Sequence, residues 1–344
     1  MTQALLDIRS LAGARAAGEL TRAARGDADQ ARVNLVADVK TAFYDLLFSG
    51  EAHRVASETV AQVERQLAQA NSLVAAGTAP HLDEIRAEVQ LANVKSALIR
   101  AEYQTEIARE TLAHLMAVKA STPVEAQGEF LGVEPVATRE VLLKQAAGGR
   151  PDLRAARRRL AAARSGLRSA RAGRLPTVNF TAAYDKSQGQ RFPLGEELDI
   201  KSATVNVNLP IFDGQLTDGR VQEAEAQRLK AQHDLEALEQ QIELDVTRAT
   251  ALVAQSEAVI SATQKAVQQA REALDIANEA YRVGTRTYLE LLDAQLALSV
   301  ADINRSQAQR DYSVARAALD RALGLPDPRQ PQLASSRTTK ETTK

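Results

Sequence analysis

One long segment of this chain occurs twice, and the repeat limits the folds that the sequence can adopt. Two short polar breaks, centred on Gly77 and Gly284, each separate two amphipathic stretches and lie 284 − 77 = 207 residues apart. The same offset relates residues 38–112 to residues 245–319 without a gap. In both breaks a glycine followed by a threonine suits a helix that ends in a left-handed residue before the chain turns back. The sequence therefore predicts one long helical hairpin that is built twice.

The composition fits long packed helices and removes several kinds of site. Charged residues make up 25% and aromatic residues only 3% of the 344 residues, while alanine, leucine, glutamine, glutamate and arginine dominate. A net charge of −1 gives no bulk attraction to nucleic acid. The chain has no cysteine, which removes disulfides and thiolate metal ligands. It also has no apolar run of about 20 residues, so no membrane-spanning helix is expected.

Helical periodicity predicts two long helices around each break. The first pair covers about residues 10–76 and 82–117, and the second pair covers about residues 216–283 and 289–323. Six apolar residues of the second pair step by three or four residues, as in a coiled-coil seam: Leu235, Leu238, Ile242, Val246, Ala249 and Val253.

Shorter helices are expected between the two hairpins. One fits residues 138–147, and another begins at Pro151, since proline is permitted in a first helical turn, and ends near Gly173. Three glycines weaken the beginning of the first long helix: Gly13, Gly18 and Gly26.

The periodicity changes to two in the segments Thr177–Tyr184 and Ala203–Leu209. Each segment places apolar side chains on one face, as β-strands do: Val178, Phe180, Ala182 and Tyr184 in the first, and Ala203, Val205, Val207 and Leu209 in the second. We expect a β-hairpin whose strands are joined by the polar loop Asp185–Ser202. Two interpretations remain open, a soluble hairpin packed on helices and a pair of tilted strands that cross a bilayer.

The sequence contains no recognisable catalytic constellation. None of the four histidines is spaced as a metal ligand with another histidine or a paired carboxylate, and neither a phosphate-binding glycine loop nor a nucleophile elbow occurs. The basic run Arg157-Arg158-Arg159 is interpreted as a solvated helix face rather than a nucleic-acid site. We therefore predict that the protein is not an enzyme and uses no metal or cofactor.

Charged and aromatic residues flank the two breaks. Asp83, Glu290 and Asp293 lie just inside the return helices, where negative side chains complement the helix dipole. Tyr281 and Arg286 flank the second break and could pair with Asp83 of the neighbouring hairpin, which would tie the two turns together. Spacing alone leaves both interpretations open.

Five motifs carry a family resemblance when they are taken in order: Arg150-Pro151-Asp152-Leu153, Gly173-Arg174-Leu175-Pro176, Leu209-Pro210-Ile211-Phe212-Asp213-Gly214, the segment Tyr281–Gln295, and Arg321-Ala322-Leu323-Gly324. Each motif is weak alone, but their order and spacing are specific. From about residue 4 to residue 325 the chain resembles the TolC-type outer-membrane efflux channels, the outer membrane factor family.

The resemblance implies a mainly α fold. Long coiled-coil helical hairpins in two repeats would form part of a periplasmic tunnel, and the β-hairpin would contribute to a trimeric outer-membrane β-barrel. In the family each of three chains gives four strands to a barrel of twelve. The implied function is a passive conduit from periplasm to exterior, in a tripartite efflux or type I secretion system, that opens at its periplasmic tip.

The resemblance also implies partners and a location. The partners would be two further copies of the chain, a periplasmic adaptor protein, an inner-membrane pump and outer-membrane lipid, with no nucleic acid. The protein would lie in the bacterial outer membrane, with its helical part in the periplasm.

Roles for individual residues follow from the same resemblance. Asp83, Tyr281 and Arg286 would form the latch of a closed tip, and Glu290 and Asp293 would form an acidic ring around its aperture.

Two further sets of residues receive roles by position. The tip turns for adaptor docking would be Gly77, Thr78, Gly284 and Thr285, and the lipid-facing side of the strand would present Val178, Phe180 and Tyr184.

The chain departs from the family in its first residues. Residues 4–8 align with residues 210–214, since 213 − 7 = 206, so the signal peptide, the first helix and the first two strands are expected to be missing. Only two strands per chain would then remain. Two explanations remain open: a start codon assigned too far downstream, and a real truncation of the gene. The alternative function is a soluble coiled-coil scaffold or a non-functional fragment of such a channel.

The expected organisation has five segments: the first helical hairpin without its β-hairpin at 1–117, an equatorial linker and helix at 118–175, a transmembrane β-hairpin at 176–212, the second helical hairpin at 213–325, and a disordered tail at 326–344.

Overall fold

The computed structural model describes residues 1–119, 124–187 and 198–325. The chain forms two compact units. The first unit contains Met1–Gln30 and Arg150–Ile242, and the second contains Ala31–Gly149 and Glu243–Lys344. The predicted tail at 326–344 and the centre of the predicted loop Asp185–Ser202 lie outside the described residues.

The elements follow one another in the order that the sequence predicts, with one addition at the start. They are β1 (Thr2–Leu6), α1 (Ile8–Ala75), α2 (His81–Leu115), α3 (Arg139–Gly149), α4 (Pro151–Arg171), a single 3₁₀ turn (Ala172–Arg174), β2 (Thr177–Ser187), β3 (Leu198–Asn208), α5 (Leu216–Arg282) and α6 (Tyr288–Leu323). The predicted bounds of the long helices are confirmed to within two residues, because their ends are set by local glycine, proline and threonine signals.

The strand β1 corrects the prediction that only two strands are present. It pairs antiparallel with β2, so that Gln3 lies opposite Phe180 and Thr2 opposite Thr181, in a sheet of order β1-β2-β3. Five residues are too few for an alternating pattern to show in the sequence. The N-terminal segment becomes a strand because the edge of β2 offers it unpaired backbone N–H and C=O groups.

The strands β2 and β3 confirm the predicted two-faced hairpin. Val178 lies opposite Val207 and Phe180 opposite Val205, so the apolar residues of the two strands share one face of the sheet. Each strand has 11 residues, and pairing continues outwards into the predicted loop as far as Ser187. The loop prediction was wrong at its ends because backbone pairing does not require apolar side chains.

In the first unit, α4 packs closely on α1. A Cβ atom added at Gly26 would lie 3.0 Å from Cβ of Ala155 and 3.0 Å from the carbonyl oxygen of Pro151. The glycine therefore permits a close approach of two backbones, and α1 continues through it without a break. The apolar side of α4 is buried, including Leu153, Leu160 and Leu167.

In the second unit, ion pairs and buried tyrosine connect α1, α6 and the linker. Lys40 binds Asp320 at 2.8 Å, and Nε of Arg310 donates to Asp45 at 2.6 Å. The backbone N–H of Glu134 donates to the hydroxyl of the buried Tyr312 at 2.9 Å. The linker is therefore held against α6 by specific hydrogen bonds.

The predicted coiled-coil seam of α5 is present. Four of its six residues are buried, and the first two are partly buried: Ile242, Val246, Ala249 and Val253 in the first group, and Leu235 and Leu238 in the second.

Candidate functional site at the helical turns

The two turns that join the long helices have the same backbone geometry. Gly77 and Gly284 have φ angles of 71° and 75°. The N–H groups of Gly77 and Thr78 donate to the carbonyls of Val74 and Leu73, both at 2.9 Å. This is a Schellman ending, in which glycine avoids the strain of a left-handed residue with a side chain.

The second turn repeats these bonds. The N–H of Gly284 donates to Tyr281 at 3.0 Å, and that of Thr285 donates to Ala280 at 2.9 Å. The hydroxyl of Thr285 also donates to the carbonyl of Ala280 at 3.0 Å, as that of Thr78 does at its own turn. Gly77, Thr78, Gly284 and Thr285 therefore form turns as predicted, while their role in docking stays a prediction.

The helix after the second turn has a complete capping box. The N–H of Glu290 donates to Oγ1 of Thr287 at 3.4 Å, and the N–H of Thr287 donates to the Glu290 carboxylate at 2.8 Å. Backbone and hydroxyl hydrogen bonds from Thr287, followed by the charge of Arg286, lower the pKa of Glu290. The first turn lacks this device, because Pro80 precedes α2 and no side chain caps it.

Two tyrosines form the centre of the site. Tyr281 at the end of α5 is 8% exposed, and Tyr288 at the start of α6 is 1% exposed. Their ring centroids are 5.7 Å apart, with an angle of 56° between the planes. They belong to one apolar cluster that draws on all four long helices, with Ala70, Ala87, Leu274, Ala277 and Leu291. The tyrosine pair therefore joins the second hairpin to the first, within the second unit.

The hydroxyls of this pair are buried, and neither has a hydrogen-bond partner among the described residues. Burial, followed by the charge of Asp83, raises the pKa of Tyr281. Burial raises the pKa of Tyr288 to about 12, with further contributions from Tyr281 and Asp83. The charge of Asp83 on α2 thus adds to burial in opposing the ionisation of both phenols of the other hairpin.

The predicted latch residues have other partners within this chain. The charge of Asp83 contributes to the raised pKa of Tyr281, but the Tyr281 hydroxyl has no hydrogen-bond partner among the described residues, so their role in a latch stays a prediction. Arg286 instead pairs with Glu290 at 3.5 Å, and Asp83 lies 3.9 Å from Arg86. The predicted pairing of Arg286 with Asp83 is therefore wrong within this chain, because Glu290 lies one helical turn from Arg286 and is closer at hand.

The two residues of the predicted acidic ring have different surroundings. Glu290 is committed to the capping box, whereas Asp293 is exposed and makes no hydrogen bond or ion pair with any described residue. Their common role around an aperture stays a prediction.

Sequence reasoning missed Tyr288. The residue opens α6 as Tyr281 closes α5, so the two flank the turn from opposite sides. That symmetry was visible in the sequence. However, an aromatic residue at the first position of a helix does not indicate a role unless the ring that it packs against, here that of Tyr281, is known.

Other kinds of site find no support in the described ranges. Within residues 1–119, 124–187 and 198–325, no three histidine, cysteine, aspartate or glutamate side chains are placed to hold a metal ion. No helix in those ranges combines the length and apolar character that a membrane span needs.

Comparison with known proteins relates most of the chain to outer-membrane efflux proteins. Residues 1–118 and 142–325 match the family described as "Outer membrane efflux protein". The outer membrane protein TolC of Vibrio cholerae is 26% identical over 84% of this chain and 67% of its own length. CyaE of Bordetella pertussis is 28% identical over 64% of this chain and 48% of its own length, so the chain spans about half of that relative.

A solved structure agrees with these relatives. The crystal structure of a membrane protein from Pseudomonas aeruginosa superimposes with a TM-score of 0.84 at 26% identity, and covers 94% of this chain and 76% of its own. The fold of repeated helical hairpins with a small antiparallel sheet is therefore that of the TolC-type outer-membrane channels. The chain belongs to the outer membrane efflux protein family. This is a family of efflux proteins rather than of enzymes.

Proposed function

We propose that this protein is the outer-membrane channel component of a tripartite efflux or type I secretion system. In this proposal it is a passive conduit from periplasm to exterior, and the turns of its two helical hairpins form the periplasmic tip. The observation that carries the tip assignment is the buried pair Tyr281 and Tyr288 beside Asp83, since this cluster fastens one hairpin to the other where the helices turn.

Surface chemistry supports assembly with further copies of the chain. Apolar residues that recur on α2 with helical spacing are exposed: Leu82, Ile85, Val89, Ile99, Tyr103 and Ile107. Exposed apolar surface of this extent is typical of an interface. In the sheet, β1 and β3 each have one edge without a strand partner in the part of the chain that the structure describes. Such edges need partners in lipid, which a homotrimer would provide.

The apolar face of the sheet is the proposed lipid contact. Phe180 and Tyr184 are exposed on this face, and Nζ of Lys201 lies 5.8 Å from the centroid of the Tyr184 ring. An amphipathic tyrosine beside a lysine is the chemistry found at a bilayer interface. Val178 lies on the same face.

Cysteine substitution tests the lipid contact. A water-soluble thiol reagent should label cysteines at Asn179 and Thr181 and spare those at Val178, Phe180 and Tyr184, since lipid excludes the reagent. Equal labelling of both sets would remove the membrane assignment for this face.

Conductance of the full chain in a planar lipid bilayer tests the tip. Asp293→Asn should reduce the preference for cations, because a carboxylate at a narrow aperture attracts them. Arg286→Ala should change conductance by releasing Glu290 from its ion pair. Asp234→Asn is the matched control, an exposed carboxylate on α5 that pairs with Lys230 and is not part of either turn. If the two tip variants behave like this control, the assignment of the gate is wrong.

In the proposed assembly, a periplasmic adaptor would bind the turns at Gly77 and Gly284, and an inner-membrane pump would supply the energy. Two turns of equal backbone geometry would offer such an adaptor two similar docking points per chain.

A further inference from the structure

A basic cleft lies between α1 and α4 of the first unit. Its volume is about 420 Å³. Five arginines and one aspartate supply its charged lining, with a glycine and an alanine between them: Arg22, Arg25, Arg154, Arg157, Arg158, Asp29, Gly26 and Ala161. The sequence interpretation of the arginine run as a plain solvated face did not include the arginines that α1 adds.

Helix packing explains why the arginines converge. Arg22 and Arg25 are three residues apart on α1, and Arg154 and Arg157 are three apart on α4, so each pair lies on one side of its helix. Gly26 allows the two backbones to approach closely. Two rows of like charge therefore face one cleft, where an anion would reduce their mutual repulsion.

Neighbouring carboxylates neutralise only part of this charge. Arg22 and Arg158 share Glu19, and Arg157 lies 3.5 Å from Glu239. Five arginines against Glu19, Glu239 and Asp29 leave a surplus of 5 − 3 = 2 positive charges.

The surplus is located on two particular side chains. Arg25 and Arg154 make no side-chain ion pair or hydrogen bond with any residue in the described ranges, and both are exposed. Each guanidinium therefore has its full set of donors available to a ligand.

We infer that this cleft binds a small soluble anion that carries phosphate groups. Guanidinium groups bind phosphate oxygens through two parallel hydrogen bonds, and several arginines around one cleft suit a ligand with more than one phosphate. The volume falls within the range of small-molecule sites, about 300–1,000 Å³.

The position of the cleft favours a solute over a lipid headgroup. The 21 residues of α4 extend over roughly 30 Å, and Arg154 lies near the beginning whereas β2 follows the end. The headgroup region adds only about 5–8 Å to each side of a bilayer core. If β2 crosses the membrane as proposed, the cleft lies beyond the reach of headgroups. The preference for a solute over a headgroup rests on the proposed function, but the binding of phosphate groups does not.

Titration calorimetry of the full chain in detergent, with pyrophosphate as the probe, tests the inference. We expect saturable binding of one pyrophosphate per chain at low salt. Arg25→Gln and Arg154→Gln should each weaken it by about tenfold or more. Arg171→Gln is the matched control, because it removes an arginine of the same helix that pairs with Glu225 outside the cleft. That control should stay within about twofold of the unsubstituted protein.

Two results would overturn the inference. One is the lack of saturable heat with pyrophosphate up to millimolar concentration, and the other is equal weakening by the control and by the cleft variants. Vesicles of phosphatidylglycerol, compared with vesicles of phosphatidylcholine, distinguish the source of the phosphate. A protein that binds phosphatidylglycerol vesicles through Arg154 and does not bind pyrophosphate would overturn the inference of a soluble ligand. That result would identify a lipid headgroup as the ligand. None of these measurements depends on channel activity, so failure here is distinct from failure of the proposed function.

Discussion

The rings of Tyr281 and Tyr288 pack against each other with their centroids 5.7 Å apart, across the turn that joins α5 to α6. Their hydroxyls are buried without a hydrogen-bond partner in the described part of the chain, and burial, with a smaller contribution from the charge of Asp83 on the other hairpin, raises the pKa of both. The apolar rings, rather than polar bonds, therefore hold the two hairpins together at this end of the second unit.

Truncation of Tyr288 should loosen this contact. We expect Tyr288→Ala to destabilise the turn region by about 3–5 kcal/mol, because a buried aromatic ring leaves a cavity. Tyr288→Phe should change it by less than about 1 kcal/mol, since the lost hydroxyl has no partner to leave unpaired. The rate of hydrogen exchange of the amides at the end of α5 and the start of α6 measures the effect of each substitution.

The control for this comparison is Tyr103→Ala, which removes a tyrosine of α2 that is 68% exposed and should leave the same amides protected. A large loss of protection in Tyr288→Phe would show that the hydroxyl, and not the ring, provides the stability.

The raised pKa of Tyr288 makes stability depend on pH in the alkaline range. The folded protein holds the phenol proton more tightly than the unfolded chain, whose tyrosines titrate near 10.0. The stabilisation is therefore fully present below pH 10 and is lost as the pH rises towards about 12. This rise in the pKa corresponds to at most about 3 kcal/mol of stability.

Absorbance of tyrosinate during an alkaline titration measures this effect. Tyr288→Phe should remove a step that titrates near pH 12, whereas Tyr103→Phe should leave that step in place. An unchanged step near pH 12 in Tyr288→Phe would contradict the assignment.

The capping box at the second turn should be worth about 1 kcal/mol. Thr287→Ala removes the oxygen that accepts the N–H of Glu290, and we expect the first turn of α6 to exchange its amide hydrogens faster. Asp293→Asn, an exposed change one turn further along the helix, is the control. Equal exchange rates in the two variants would show that the cap does not stabilise this helix end.

Two glycines of α1 should respond in opposite ways to alanine. Gly26→Ala should destabilise the first unit, because the new Cβ would lie 3.0 Å from both Ala155 and Pro151 and α4 would have to move. Gly18→Ala should stabilise the helix by about 0.5–1 kcal/mol, since nothing lies within 4 Å of its new Cβ. Thermal unfolding compares the pair, and a stabilising Gly26→Ala would contradict the close packing of α4.

Local signals explain why so much of the helical architecture was predictable. Gly77 and Gly284 end helices because their positive φ favours glycine, and Thr287 begins a helix through its own hydroxyl. Neither effect needs a distant partner. In the candidate site, the sequence identified the turn glycines and Tyr281. It did not identify Glu290 as the partner of Arg286.

The sequence by itself determined the two long hairpins, their turns and the apolar face of β2 and β3, because glycine, capping residues and periodicity act within one element. Only the tertiary structure decided that Thr2–Leu6 joins the sheet, that Tyr288 packs in one cluster with Ala70 and Ala87 of the other hairpin, and that arginines of two helices share a cleft. Each of these relationships joins residues far apart in the chain. Periodicity tells which face of an element is apolar or charged, and packing alone selects the element that lies against it.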